Sequence, residues 1–458
     1  MPSIASPGYP LTGPGTVQSR ATRGPAETAA RFAETVIVFI LLVLFAGVIW
    51  PPDSYFAAPL PPRQGVSNVY DFCEFLVLLG FLAVGFYVRR RQLPALAVWG
   101  WPVLLLASVA FASAFWADDP AIVLRRAGTA TLSSLFGFYL VARGDLAALT
   151  ALLVKVYALA AAASIVLALA VPRWGTMMGE AYTHAWRGVY ADKNDLGMAC
   201  AEALIVAVYA LRRGYGARWV AAFALVASVA LVAASQSKTP IVVTGAALYA
   251  ALLAAALRRR SAAGIAAAFV LFVAGLAVAG ALAVGWQDAL AALGRDATLT
   301  NRTRIWRLVL EEIARHPWLG YGYEAFWRDA NGSARLIWDL VGFHTPHAHN
   351  GWLEIWLGLG VVGLAAATVV WLVAGYRVLR VATAPEAGHV AFCAAIFAGT
   401  FIENLTEFEF FRPGRLMWAL FVAALVYLGR EVTLHRAAAA RRIAPRPGAL
   451  RSASAIAR

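Results

Sequence analysis

Apolar residues in this chain gather in long blocks separated by short polar punctuation. The blocks lie near 34–50, 70–88, 95–115, 121–142, 148–171, 195–211, 218–234, 239–257, 263–285, 351–375, 386–402 and 414–429. Blocks of about 17–25 residues are long enough to cross a hydrocarbon core of ~30 Å as helices. The pattern predicts an all-α polytopic membrane protein with about twelve transmembrane helices. The fourth block is interrupted at its start by Arg125 and Arg126.

The polar punctuation sorts by charge. Counted from an N-terminus that carries Arg20, Arg23 and Arg31, the even loops hold Arg89 to Arg91, Arg143, Arg212, Arg213 and Arg218, Arg258 to Arg260, and Arg377 with Arg380. The segment after the last block adds Arg430, Arg436, Arg441, Arg442, Arg446, Arg451 and Arg458. The opposite side shows "WADDP" (116–120) and "ENLTEFEFFR" (403–412), where acids equal or outnumber bases. Basic residues collect in cytoplasmic loops, so this alternation predicts an even number of spans with both termini cytoplasmic.

Composition agrees. The chain of 458 residues is 61% hydrophobic and 14% charged, with a mean hydropathy of +0.68, against roughly 45–50% apolar residues in a soluble domain. The net charge of +14 is explained by topology and gives no nucleic-acid site, although the basic tail is also suited to anionic lipid. Cys73, Cys200 and Cys393 fall within predicted spans and read as buried, inert thiols. The first block has no small-residue cleavage site and reads as an uncleaved first helix. The layout expected is a disordered cytoplasmic N-terminus (1–30), helices one to nine (31–285), a large outward loop (286–350), helices ten to twelve (351–430) and a basic cytoplasmic tail (431–458), disordered from about 436.

The loop 286–350 is the one long connection, and long loops concentrate function. Within it, "TLTNRTRIWRLVLEEIARHPWLGYGYEAFW" (298–327) predicts an amphipathic helix along the outer membrane surface. Asn301 is its candidate cap, Ile305, Leu308, Val309 and Ile313 form an apolar stripe, and His316, Pro317 and Gly320 end it. Arg302 sits in the first turn, where the helix macrodipole is already positive. An anion held between that cation and the free amides gives it a purpose; an exposed surface arginine is the alternative. Trp306, on the same face, is placed to support the guanidinium plane.

Three other outward pieces carry polar groups. "SQSKTP" (235–240) puts Lys238 at the edge of the eighth block, as a snorkelling lysine or an anion contact. "RGVYADKNDLG" (187–197) brings Arg187 and Asn194 to the start of the sixth, with Asn194 or Asp195 as its cap or as substrate contacts. Glu403, Asn404, Glu407 and Glu409 read as an acidic rim, Glu403 being a candidate substrate contact.

The sharpest feature is "HTPHAHN" (344–350), three histidines before the tenth block. His347 and His349 are spaced as metal ligands can be, but no H-E-x-x-H spacing, useful cysteine or obvious carboxylate accompanies them. No metal and no other cofactor is expected. A general base is the other chemistry, since imidazole titrates near pH ~6.5; a structural histidine is the third reading. Asn350 is placed to cap the tenth helix, and Gly358, Gly360 and Gly363 allow close packing.

Taken together, His349-Asn350 followed by Gly360-Val361-Val362-Gly363, the run "NRTRIW…HPWLGYGYEAFW" and "SQSKTP" resemble the motifs of the O-antigen ligase and Wzy-type polymerase superfamily. With "RGVYADKNDLG" the pattern is most similar to its ExoQ-type exopolysaccharide polymerases. The resemblance covers about 185–364 in motifs and the whole chain in topology. It implies a GT-C-like, metal-independent, inverting glycosyltransferase of the bacterial inner membrane, active at the periplasmic face on undecaprenyl-diphosphate-linked oligosaccharide. It also implies His349 as base toward the acceptor hydroxyl and Arg302 as a contact to the donor diphosphate. Lys238 stands where the family's Ser-x-Ser-Arg element has arginine and loses the bidentate fork. Arg304 and His347 are near neighbours and candidate substrate contacts. A chain-length regulator is an expected partner. A ligase acting on lipid A core or protein, a lipid-linked glycan transporter, and a non-enzymatic scaffold are the alternatives. No convincing internal repeat favours the transporter.

Overall fold

The computed structural model describes residues 24–48, 66–144, 146–177, 184–259, 261–275, 302–327, 332–382 and 389–443. It is all-helical, with no strand among the described residues beyond an isolated bridge between Thr176 and Trp186. Residues 1–41 and 42–458 form two compact units. The helices are α1 (Pro25–Phe45), α2 (Val66–Val88), α3 (Leu93–Ala112), α4 (Pro120–Arg143), α5 (Leu146–Ala170), α6 (Lys193–Arg213), α7 (Arg218–Ser235), α8 (Thr239–Arg258), α9 (Ala262–Gly275), α10 (Arg302–Arg315), α11 (Gly332–Val341), α12 (Gly351–Ala382), α13 (Val390–Asn404) and α14 (Leu416–Ile443).

Each apolar block has a helix at its place, the ninth only as far as Gly275. Among the described residues, eight helices are long and apolar enough to cross a membrane. α4 is not one of them, and α13, at 15 residues, is short. This is a multi-pass membrane protein. α1 begins at Pro25 and α14 runs to Ile443, so helix reaches into both segments read as disordered.

Local chemistry sets the helix ends. Asp119 caps α4 by accepting from the Ile122 amide (3.1 Å) with Pro120 in the first turn. α6 is capped by Asp192, which accepts from the amides of Asn194 (2.6 Å) and Asp195 (3.0 Å), not by either residue expected from the sequence. In the larger unit α8 packs on α13 and α6, α6 on α7, and α14 on α3, α4 and α12. Gly137 lets α4 approach α14 closely, since a Cβ there would lie 2.7 Å from the Ala419 carbonyl. Cys200 and Cys393 are free and buried, whereas the Cys73 side chain lies outside the described residues.

The amphipathic helix expected in the long loop is α10. Its stripe is not left for the lipid surface: Ile305, Leu308, Val309 and Ile313 are 0–9% exposed, packed with Ile337 and Trp338 of α11 and Leu357 of α12. Asn301, its expected cap, lies outside the described residues.

One feature is absent from the helical pattern. α12 breaks at Gly360, whose backbone (φ 63°, ψ −164°) is not helical and occupies a region that only glycine visits readily. The loop after α10 repairs the break. The amides of Tyr321 and Gly322 donate to the carbonyls of Leu357 (3.0 Å) and Gly358 (2.8 Å), and the Val361 amide donates to the Pro317 carbonyl (2.9 Å). Two segments that read as separate motifs are thus one backbone splice.

Candidate active site

The splice fixes α10 against the head of α12, where the histidines lie. Asn350 caps α12 as expected, accepting from the amides of Trp352 (3.0 Å) and Leu353 (3.2 Å). The segment before it is tied group by group. The Trp338 indole donates to the Thr345 carbonyl (2.8 Å), the Thr345 hydroxyl to the His347 carbonyl (2.6 Å), and the Trp306 indole to the Ala348 carbonyl (2.9 Å). Trp306 therefore clamps the histidine loop. The Ala348 amide donates to Glu354 (2.8 Å), whose carboxylate also accepts from the Trp327 indole (2.9 Å). With its neighbours held, His349 keeps a left-handed backbone (φ 50°), uncommon for a side chain of its size.

Glu407 faces this loop and joins the principal candidates. Its Oε2 lies 2.9 Å from His349 Nδ1, and its Oε1 accepts from Arg302 Nη2 at 2.6 Å. Arg302 Nη1 also donates to the Thr406 carbonyl. Burial alone pushes the Glu407 carboxyl up, but the His349 hydrogen bond and the Arg302 charge outweigh it and hold it below its usual range. A carboxylate at Nδ1 favours the tautomer protonated there and leaves Nε2 as the acceptor.

His347 is buried, with its ring 4.4 Å from that of His349, and its Nδ1 accepts from the His349 amide (3.1 Å). Burial, then the nearby Arg412, pushes its imidazole well below the usual value, which keeps it neutral. His344 stacks on Trp338 (4.5 Å), outside the cluster.

His347, His349 and Glu407 offer ligand atoms within 4.8 Å of one another, so the carboxylate missing from the sequence reading exists in space. As arranged, Glu407 already carries the Arg302 ion pair and His347 Nδ1 already accepts an amide. The Nδ1 atoms of both histidines and both Glu407 oxygens are thus engaged in hydrogen bonds within the protein.

His347, His349 and Glu407 open on a cavity of about 900 Å³. Asn194 and Glu403 line it too. The supposed acidic rim is buried: Glu403 is 2% and Glu409 6% exposed, and Glu403 Oε2 has no hydrogen-bond partner. Arg187 is not on the cavity wall; its guanidinium donates to the carbonyls of Trp174 (2.8 Å) and Ala191 (3.4 Å) and holds its own loop. Arg304 is exposed, and Lys238, half-buried at the head of α8, also lies off the wall, though the neighbouring Ser237 hydroxyl donates to Asn194 (3.0 Å).

Residues 222–368 match the family model described as O-antigen ligase. The chain is also similar to the exopolysaccharide production protein ExoQ of Rhizobium meliloti (strain 1021), 28% identical over 356 residues that cover 69% of this chain and 78% of the relative. The matched segment contains Lys238, Arg302, His347 and His349 together with both partners of the Gly360 splice. Glu407, Arg412 and the α4 arginines lie outside the matched residues and reach the cavity through the fold.

Sequence reasoning missed Glu407 as a histidine partner, Glu354 as the loop anchor and Arg412 as a cavity cation. The available signal was the density of ionisable residues in "ENLTEFEFFRPGR" (403–415) beside an apolar block, where charge is costly and therefore usually functional.

Proposed function

We propose that this protein is a polysaccharide polymerase of the bacterial inner membrane, joining undecaprenyl-diphosphate-linked repeat units at the periplasmic face. The observation that carries the reading is Glu407 bridging His349 and Arg302 beside a cavity of about 900 Å³. A carbohydrate hydroxyl is a weak nucleophile and needs a base. His349 Nε2 takes the hydroxyl proton as the new O–C1 bond forms, and Glu407 steadies the resulting imidazolium. The bond from the anomeric carbon to the donor phosphate breaks, and its electron pair leaves with the diphosphate.

Arg302 has five N–H donors, of which Thr406 and Glu407 engage one on each terminal nitrogen. The others are the donors the diphosphate would use, whereas Lys238, the second cation the resemblance implies, lies off the cavity wall. Fixed positive charge does there what a divalent ion does in other glycosyl transfers, so the reaction is metal-independent. One base and no protein nucleophile predict inversion at the anomeric carbon; a linkage that retains the donor configuration would sink that part.

The test uses purified protein in lipid, an undecaprenyl-diphosphate-linked repeat unit and EDTA, with products resolved by size. A ladder on the polyprenyl carrier is expected. The family description favours a second reading, a ligase, and transfer that requires added lipid A core acceptor would establish it. No glycan chemistry with either acceptor would return the protein to the transporter class.

A further inference from the structure

The cavity contains cations that neither the motifs nor the expected chemistry account for. Arg125 and Arg126, which interrupt the fourth apolar block, both line it, as do Arg412 and Arg415. Adjacent arginines inside a membrane helix are expensive, and such charges face a water-filled path or a partner. α4 accordingly fails the composition of a spanning helix.

The four guanidiniums are not equally committed. Arg415 is held between Asp195 and Glu409, 3.5 Å from each. Arg412 donates to the Phe408 carbonyl (3.0 Å) and lies 3.8 Å from Glu409. Arg126 lies 3.2 Å from Glu324 yet keeps 46% of its side chain exposed. Arg125 is exposed and has no acidic partner among the described residues. The least engaged positive charge on this cavity's lining is therefore that of the α4 pair, which shares the space with His349.

We propose that Arg125 and Arg126 of α4 form a subsite for the diphosphate of the lipid-linked donor, in the cavity that His349 and Glu407 also line. The proposal rests on the reading of the protein as a polyprenyl-diphosphate transferase and adds residues that its motifs do not include. The chemistry is suited: two guanidiniums side by side offer more donors than a diphosphate has oxygens to fill, and a dianion gains more from paired cations than a sugar hydroxyl does. Arg126 exchanges part of its contact with Glu324 for the ligand, so Glu324 tunes the subsite.

The experiment titrates undecaprenyl diphosphate into the full-length protein in phosphatidylcholine nanodiscs and compares wild type with Arg125→Gln/Arg126→Gln. Binding is expected to weaken roughly tenfold or more in the double variant and to be largely retained by Arg125→Lys/Arg126→Lys. Undecaprenol, which lacks the phosphates, is expected to bind all three alike. Glu324→Gln is expected to hold or tighten diphosphate binding; loss equal to that of the arginine variants would mean that Arg126 is only half of a structural ion pair.

Equal binding of undecaprenyl diphosphate by wild type and the glutamine variant overturns the proposal. So does disappearance of the difference in phosphatidylglycerol nanodiscs, which would make the pair a bulk-headgroup site. If the double variant does not fold, Arg125→Gln alone gives the same reading, because no acidic side chain among the described residues depends on it. Binding is read without turnover, so failure here is distinct from the absence of a product ladder, which sinks the transferase reading itself.

Discussion

An arginine is held near each end of α12, and the two do different work. Near the C-terminal end Arg377 is 7% exposed and donates to the main-chain carbonyls of Trp99 and Leu425, tying α3 and α14 to α12. No acid or histidine takes part among the described residues. At the other end Arg302 shares its carboxylate partner with His349 on the wall of a cavity. Carbonyls fix a cation in place, whereas a carboxylate shared with an imidazole passes its charge to a group that can move a proton. The chemical nature of the acceptor separates the two uses.

Substitutions can break or sharpen that contrast. His349→Ala removes the proposed base and is expected to cost about 10³-fold in turnover while the protein stays in the membrane; near-normal polymer from the variant would remove the histidine from the mechanism. Glu407→Gln cannot stabilise the imidazolium and places an amide against Arg302, so kcat should fall about 10²-fold with partial recovery in Glu407→Asp. Gly360→Ala puts a Cβ 2.1 Å from the Trp318 carbonyl in a conformation reserved for glycine. The shifted loop misplaces the site and should lower turnover roughly 10–100-fold. Arg377→Met removes the two hydrogen bonds that tie α3 and α14 to α12 and should lower stability by about 2–4 kcal/mol, read as Tm, with turnover per folded molecule within about threefold of wild type. A large loss of turnover there, without a loss of Tm, would erase the distinction.

Acid is expected to act on the histidine end with one sign. His347 and Glu407 both have folded-state values below their ordinary ones, so the unfolded chain binds more protons and stability rises with pH. The His347 contribution is complete above pH ~6.5 and is lost progressively below it; that of Glu407 is present above pH ~4.3 and is lost as pH falls through its depressed value. A Tm that falls between pH 7 and 5 in wild type, and falls less in His347→Gln, is the expected result.

Much of this was legible in the chain. Helix positions followed from unbroken apolar blocks, the α10 stripe from its spacing, the Asn350 cap from residue type, and the placing of His349 at a helix mouth from the run that precedes it. What the sequence withheld depends on segments far apart. Glu407 is 58 positions from His349 and 105 from Arg302, and only helix packing selects it among four polar neighbours in "ENLTEFEFF". Arg125 and Arg126 looked like a flaw in a span because their cavity is built by other helices. The Gly360 break was hidden because glycine in an apolar helix ordinarily signals close packing, and its actual partner is a stretch of main chain with no side-chain signature beyond its own glycines.

That break also orders assembly. Unpaired main-chain groups in an apolar slab are costly, so α12 can be bent at Gly360 only where Pro317 to Gly322 are present to receive it. Synthesis runs from the N-terminus, and the receiving segment is delivered before the helix that needs it. The site is therefore completed from upstream to downstream, and a chain interrupted between the two segments would lack not a loop but the second half of a joint.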